Sequence, residues 1–302
     1  MVNLASTRPV PSYPSAGAVL ELLKPITWFP PMWAFACGVV SSGVVLSSNW
    51  MLLLAGVALS GPLVCGMSQA VNDWYDRHVD AINEPGRPIP SGRMPGRWGL
   101  YIAVAWSLLS LAVAWLIGPV VFWAAVFGVA MAWAYSAPPF RLKQNGWWGN
   151  GAVGLCYEGL PWFTGAAALL GGVPPWPVIT LALLYAAGAH GIMTLNDFKA
   201  IAGDTRMGVR SLPVQLGVQG AARVASAVMA LPQVAVIGLL FLWDRPWHAG
   251  AVSLLLLVQL VMMRRFLAEP VGRALWYSGF GVPLYVAGMM VSAFAVRAAV
   301  GG

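Results

Sequence analysis

The feature that most constrains this chain is a succession of apolar runs with almost nothing long or polar between them. Windows of about 20 mostly apolar residues, the length that carries a helix across a bilayer core, recur near 26–47, 51–71, 98–117, 119–136, 151–171, 176–195, 221–243, 249–268 and 280–300. In hydrocarbon each segment must satisfy its own backbone polar groups, so each window is expected to be a helix. The predicted fold class is all-α and polytopic: nine transmembrane helices forming a single domain over residues 1–302. Very short turns after the first and third windows predict two antiparallel hairpins. The chain is 59% hydrophobic and 9% charged, far from the roughly 25% charged residues of soluble domains. It therefore cannot cover a water-facing surface, and its 16 Trp suit the two interfacial belts of a bilayer.

A formal charge of +7 would suggest nucleic acid as the partner of a soluble protein. Here the positions of the charges argue otherwise. With nine crossings, fifteen of the 17 Lys and Arg fall on the side of the N-terminus, leaving only Arg245 and Arg297 opposite. Cationic loops stay cytoplasmic, so the N-terminus and the loops after even-numbered helices are expected there. Residues 1–24 read as a cytoplasmic tail without a cleavable signal, and Arg8 belongs to it. Cys37, Cys65 and Cys156 sit inside apolar runs, without metal-binding spacing, and read as small buried residues.

Six of the ten acidic residues fall in two stretches, each following an apolar run. The first is Asn72-Asp73-Trp74-Tyr75-Asp76-Arg77-His78-Val79-Asp80, followed by Glu84; the second runs from Asn196-Asp197-Phe198-Lys199 to Asp204. On a helix, Asn72, Asp76 and Asp80 at i, i+4 and i+8 share a face with Asp73 beside them, and Asp197 and Asp204 lie two turns apart. Carboxylates so close require neutralisation. Mg2+ is a fitting partner, because it takes one or two carboxylates and fills its remaining positions with water and substrate phosphates. Candidate metal ligands are Asn72, Asp73, Asp76, Asp80, Asp197 and Asp204. Arg77, Arg87, Arg141, Lys143, Lys199 and Arg210 lie around them as candidate diphosphate contacts, Arg by bidentate pairing and Lys as a point charge.

The first stretch resembles the NDxxDxxxD motif of the UbiA superfamily of intramembrane prenyltransferases, and Asn83-Glu84-Pro85-Gly86-Arg87-Pro88 continues the likeness. Several further stretches, among them PITWFPPMWAFACG, CYEGLPWFTGAA and GAHGIMTLNDFKAIAGD, resemble the chlorophyll and bacteriochlorophyll synthase branch. One departure stands out: that branch reads NDFKxxEGD, and Ala202 occupies the Glu position.

The resemblance implies helices around a central cavity with a cytoplasmic-side cap, in a bacterial inner membrane of the intracytoplasmic photosynthetic kind. It implies esterification of a bacteriochlorophyllide propionate by a geranylgeranyl or phytyl diphosphate with Mg2+, and contacts with pigment–protein assembly partners. Asp76, Asp80, Arg87 and Lys199 would carry the catalysis. Trp74, Tyr135 and Trp162 would face an allylic cation with their π clouds. Glu158 and His190 lie inside apolar windows, where ionisable groups are costly and often functional; they read either as tetrapyrrole contacts or as helix–helix hydrogen bonds. Trp147 and Trp148 are expected as membrane anchors, His78 as a solvated loop residue and His248 as interfacial. A chlorophyllide, aromatic or haem acceptor is the alternative within the same chemistry. A transporter is disfavoured because the acids gather at one face rather than in broken helices at mid-membrane.

Overall fold

The computed structural model describes residues 12–45 and 49–300. Arg8 and the rest of residues 1–11 of the expected tail lie outside the described residues. A short helix, α1 (Ala16–Leu23), precedes α2 (Phe29–Ser41). Next come α3 (Trp50–Asn83), α4 (Trp98–Ile117), α5 (Pro119–Ser136), α6 (residues 146–170), α7 (Trp176–Asp197) and the short α8 (Ile201–Met207). The last three are α9 (Leu212–Leu242), α10 (Pro246–Ala268) and α11 (Pro270–Val300). No strand occurs among the described residues; the single β-type bridge joins Asn145 and Arg210.

Seven of these helices are long and apolar enough to cross a membrane: α3, α4, α5, α7, α9, α10 and α11. The two other expected windows correspond to α2, apolar but only 13 residues long, and to α6, which is divided by a widened turn. His78 is exposed but lies within α3, not in a loop as expected.

Helix length explains how the two acidic stretches are presented. The 34 residues of α3 extend roughly 51 Å at 1.5 Å per residue, well beyond a hydrocarbon core of about 30 Å. Residues 72–83 are thus free to extend past the apolar portion while remaining helical. The 22 residues of α7 span about 33 Å and end at Asp197, so the second stretch passes into a turn and then α8.

Two widened, π-helical turns interrupt the ladder, at Leu59–Cys65 in α3 and Leu155–Gly159 in α6. Each is tied to a proline. Pro62 lies within the first, and Pro161 just after the second leaves the Tyr157 carbonyl without its usual i+4 donor.

Small residues let the helices approach closely, as expected where hydrophobic burial does not drive helix pairing in lipid. Cβ atoms built at Gly38 of α2 and Gly165 of α6 would lie 2.0 Å from the Trp162 carbonyl oxygen and 2.1 Å from that of Phe35. Helix α7 forms the centre: 61% of its apolar window is buried, against 28% for α4 and α10. Its Tyr185 stacks on Trp162 at 5.6 Å and meets Tyr285 of α11 edge-on at 5.3 Å.

Candidate active site at the acid end of the cavity

A cavity of about 720 Å³ opens between α2, α3, α5, α6, α7 and α11. On α3 its lining runs from Gly56 to Asn72, a span of roughly 24 Å at the helical rise. Asn72 and Asn196, the first residues of the two acidic stretches, both line it. The stretches come from separate halves of the chain, yet they meet at one end of one cavity. Asp76 and Asp197 both lie within electrostatic reach of the Tyr135 side chain, another lining residue.

The cationic neighbours divide the first stretch into two parts. Arg87 donates from Nη1 to Asp80 at 2.8 Å and to Asp73 at 3.3 Å, and from Nε to Glu84 at 2.6 Å. Asp73 is also held by Lys24 at 2.7 Å, although its Oδ2 is buried with no hydrogen-bond partner. Asp73 and Asp80 are seven residues apart, so one guanidinium clasps both on one helix face. Asp76 belongs to another group: Lys143 Nζ donates to it at 2.6 Å and Arg141 lies at 3.6 Å. Asn72 donates to Ser136 Oγ at 3.3 Å. The repulsion anticipated between the carboxylates is therefore largely offset by Lys24, Arg87, Arg141 and Lys143.

Lys24 and Arg141 both have left-handed backbone conformations, with φ of 47° and 39°. A side chain in that region costs about 1–2 kcal/mol. Such conformations persist where surrounding contacts over-determine them, and here both residues reach motif carboxylates.

In the second stretch, Asn150 Nδ2 donates to Asp197 at 3.0 Å and to Thr194 at 3.2 Å. Two backbone bonds, Gly146 N–H to Arg210 O and Arg210 N–H to Gln144 O, both 2.8 Å, tie the segment bearing Arg141 and Lys143 to the segment after α8. This tie joins the surroundings of the two stretches. Asp204 lies beside Ser211; burial raises its pKa, and Ser211 acts against the rise. Burial pulls the Lys143 ammonium below the usual lysine value, with Asp76 opposing. For Arg87, burial acts downward but is outweighed by Glu84, Asp73 and Asp80, so its pKa is raised.

Among the described residues no group of three His, Cys, Asp or Glu side chains is gathered for a metal ion. The donor set nevertheless fits Mg2+ of the substrate-bridging kind. Asn72 lines the cavity, and Asp76 and Asp197 both lie within electrostatic reach of Tyr135 on the same wall; their oxygens would hold the ion, with substrate phosphates and waters as its other ligands.

Of the expected pocket residues, Tyr135 and Glu158 line the cavity, whereas Trp74, Trp162 and His190 do not. Trp74 carries the Arg77 guanidinium on its ring at 4.3 Å, and Arg77 also donates to the Trp74 carbonyl at 2.7 Å. Arg77 is thus folded back on its own helix rather than directed toward a diphosphate. Trp162 is fully buried and donates to Ser41 at 3.0 Å, a packing role. His190 stacks near Trp147 at 5.6 Å, so Trp147 is engaged with the bundle as well as exposed. Lys199 and Arg210 have exposed side chains that pair with no carboxylate among the described residues, leaving both available to an anion.

Sequence reasoning missed Tyr157, Gln69 and Cys65. Gln69 Nε2 and Cys65 Sγ donate to the Tyr157 hydroxyl at 2.9 and 3.3 Å; all three are on the cavity wall, Gln69 and Cys65 about one and two turns from Asn72 on α3. Only the composition of CYEGLP and CGMSQAV signalled them. Lys24 was assigned to topology alone, and Asn150 was unremarked.

The UbiA prenyltransferase family matches residues 27–284. The chain belongs to this family. It is 62% identical over 286 residues to the bacteriochlorophyll synthase 33 kDa chain of Cereibacter sphaeroides, covering 95% of each chain. It is 58% identical to the corresponding chain of Rhodobacter capsulatus, again over 95% of each. Among solved structures it resembles digeranylgeranylglyceryl phosphate synthase, with a TM-score of 0.74 at 21% identity over 92% of this chain and 98% of the other. It also resembles a UbiA homologue from Archaeoglobus fulgidus bound to GPP and Mg2+, with a TM-score of 0.65 at 20% identity over 93% and 99%. This UbiA chain therefore shares the family fold along nearly its whole length.

Proposed function

We propose that this chain is a Mg2+-dependent prenyltransferase that joins a geranylgeranyl or phytyl group to the propionate carboxylate of bacteriochlorophyllide, releasing diphosphate. The observation that carries the reading is the meeting of Asn72 and Asn196 on one largely apolar cavity. The high identity to two bacteriochlorophyll synthase chains supports the choice of acceptor.

Mg2+ held by Asn72, Asp76 and Asp197, with Asp204 nearby, would neutralise charge growing on the departing diphosphate. Lys143, Arg141, Lys199 and Arg210 bind its remaining oxygens. As the allylic C–O bond breaks, its electron pair leaves with the diphosphate. The acceptor carboxylate, already ionised, supplies the pair for the new C–O bond, so no general base is needed. Tyr135 presents its ring to the developing allylic cation, and the apolar walls exclude the water that would trap it. Arg87 is a positioning residue, holding Asp73 and Asp80 so that Asp76 keeps its orientation.

In this reading α2 and α6 also cross the membrane, for nine crossings in one domain. The acid end faces the cytoplasm of a bacterial photosynthetic inner membrane, capped by α1, α8 and the intervening loops. Pigment–protein assembly factors would receive the product.

The test is ester formation from bacteriochlorophyllide and geranylgeranyl diphosphate by the protein in nanodiscs, followed by chromatography. The expected product is the prenyl ester, lost on chelation with EDTA and restored by Mg2+. Prenylation of an aromatic acid or a haem with no tetrapyrrole ester would overturn the assignment.

A further inference from the structure

Among the described residues, Glu158 is the one carboxyl that lines the cavity. It is 6% exposed, and its Oε2 is sealed off with no hydrogen-bond partner. The titratable groups that feel its charge are Cys37 and Tyr285, and neither is a cation. The Tyr285 hydroxyl already donates to the Tyr185 carbonyl at 2.6 Å. No guanidinium or ammonium pairs with Glu158 among the described residues. Leaving a buried polar atom unpaired is costly, because it has lost water without a replacement. In hydrocarbon such a residue marks a site with an absent partner.

Its position narrows the partner. Glu158 lies six residues beyond Ala152, another lining residue, or roughly 9 Å further along α6 from the acid end. It sits in the π-helical turn Leu155–Gly159, and such turns re-aim side chains at functional sites. Of the two substrates, the prenyl chain is pure hydrocarbon beyond its diphosphate and offers nothing to a carboxyl. A tetrapyrrole whose propionate is at the acid end carries keto, acetyl and ester carbonyls on the rest of its rim.

Resting on the function proposed above, we infer that Glu158 is a specificity-determining residue that, as the protonated acid, donates a hydrogen bond to a rim carbonyl of the tetrapyrrole acceptor. It thereby assigns the middle of the cavity to the macrocycle. A pocket built around a hydrogen bond rejects analogues that lack the partner atom far more strongly than an apolar pocket does.

The test compares the wild-type protein with Glu158→Gln, which keeps a donor and an acceptor, and Glu158→Leu, which has neither. Glu158→Leu is expected to raise KM for bacteriochlorophyllide about tenfold, with KM for geranylgeranyl diphosphate unchanged, and Glu158→Gln to recover most of the loss. Resonance Raman spectra of bound bacteriochlorophyllide should show one carbonyl stretch shifted upward in Glu158→Leu only. If Glu158→Leu leaves acceptor KM and the carbonyl stretch unchanged, or raises KM for the diphosphate instead, the inference is overturned while the proposed function stands. If Glu158→Leu does not fold, Glu158→Gln decides: an acceptor KM and carbonyl stretch near wild type support the inference, and a large loss overturns it. Absence of any tetrapyrrole ester with the wild-type protein would overturn the proposed function and this inference together.

Discussion

Lys143 Nζ lies 2.6 Å from Asp76 Oδ1, joining residues 67 apart in sequence, and the lysine side chain is only 14% exposed. The pair couples the loop after α5 to the acidic stretch of α3. It also keeps a cation beside the position proposed for the departing diphosphate.

Removing the carboxylate acts on both functions. Asp76→Ala is expected to lower kcat for ester formation at least about 100-fold, because a metal ligand and the counter-charge of Lys143 are lost together. Lys143→Met should act mainly on KM for the prenyl diphosphate. Initial rates in nanodiscs at saturating Mg2+ separate the two, and near-normal turnover by Asp76→Ala would sink the metal assignment.

Arg87 serves three carboxylates at once, and lysine cannot reproduce its planar fork. Arg87→Ala leaves Asp80, whose side chain is 9% exposed, without a partner. Breaking a buried pair in this way costs about 3 kcal/mol. The expected result is a lower thermal melting temperature in detergent, with Arg87→Lys intermediate.

The α2–α6 contact depends on missing side chains. Gly38→Ala and Gly165→Ala each force a methyl into a backbone carbonyl group, so both should destabilise the fold by about 1–3 kcal/mol or more. Gly172→Ala, with open space around it, is the control and should melt near wild type.

α1 is fastened to the loop after α3 by Arg93, which pairs with Glu21 through Nη1 and Nη2 at 2.5 and 2.8 Å. Hydrogen bonding to Arg93 lowers the Glu21 pKa below its reference value of 4.5. A carboxyl with a lowered folded pKa contributes its stabilisation above the unfolded value and loses it as pH falls through the folded one. Hydrogen-exchange protection factors in α1 should therefore fall below about pH 4.5, and Glu21→Gln should abolish that dependence. Both side chains are nearly half exposed, so the effect should be local and weakened by salt.

Much of the fold was legible because a bilayer leaves few choices. The runs that became α4, α5 and α7 were visible as apolar windows ending near the structural boundaries, while the window for α3 began at the right place and stopped twelve residues before Asn83. The two acidic stretches were visible as charges that topology does not need. Their pairings were not visible. Helical spacing set Asn72, Asp76 and Asp80 on one face, yet Arg87, on a loop, gathers Asp73 with Asp80, while Lys143 takes Asp76. Periodicity gives the angle between side chains on one helix and says nothing of which loop returns to which face. Which aromatics besides Tyr135 line the cavity was hidden for a related reason. A π-helical turn adds a residue to one turn of α6, rotating the remainder of the helix by about 100° relative to an unbroken one. Tyr157 consequently faces the cavity, and Trp162 faces Ser41 and Tyr185.

The residues by themselves determined that this chain lives in lipid as a set of helices with two acidic termini, because hydrocarbon admits no other use of such apolar runs and no idle carboxylates. Tertiary structure alone decided that Asn72 and Asn196 share one cavity, that Lys24 and Arg141 take strained conformations to reach motif acids, and that Glu158 is left without a partner. Those outcomes depend on close helix approaches through glycine and on loops crossing between halves of the chain, which no local pattern encodes.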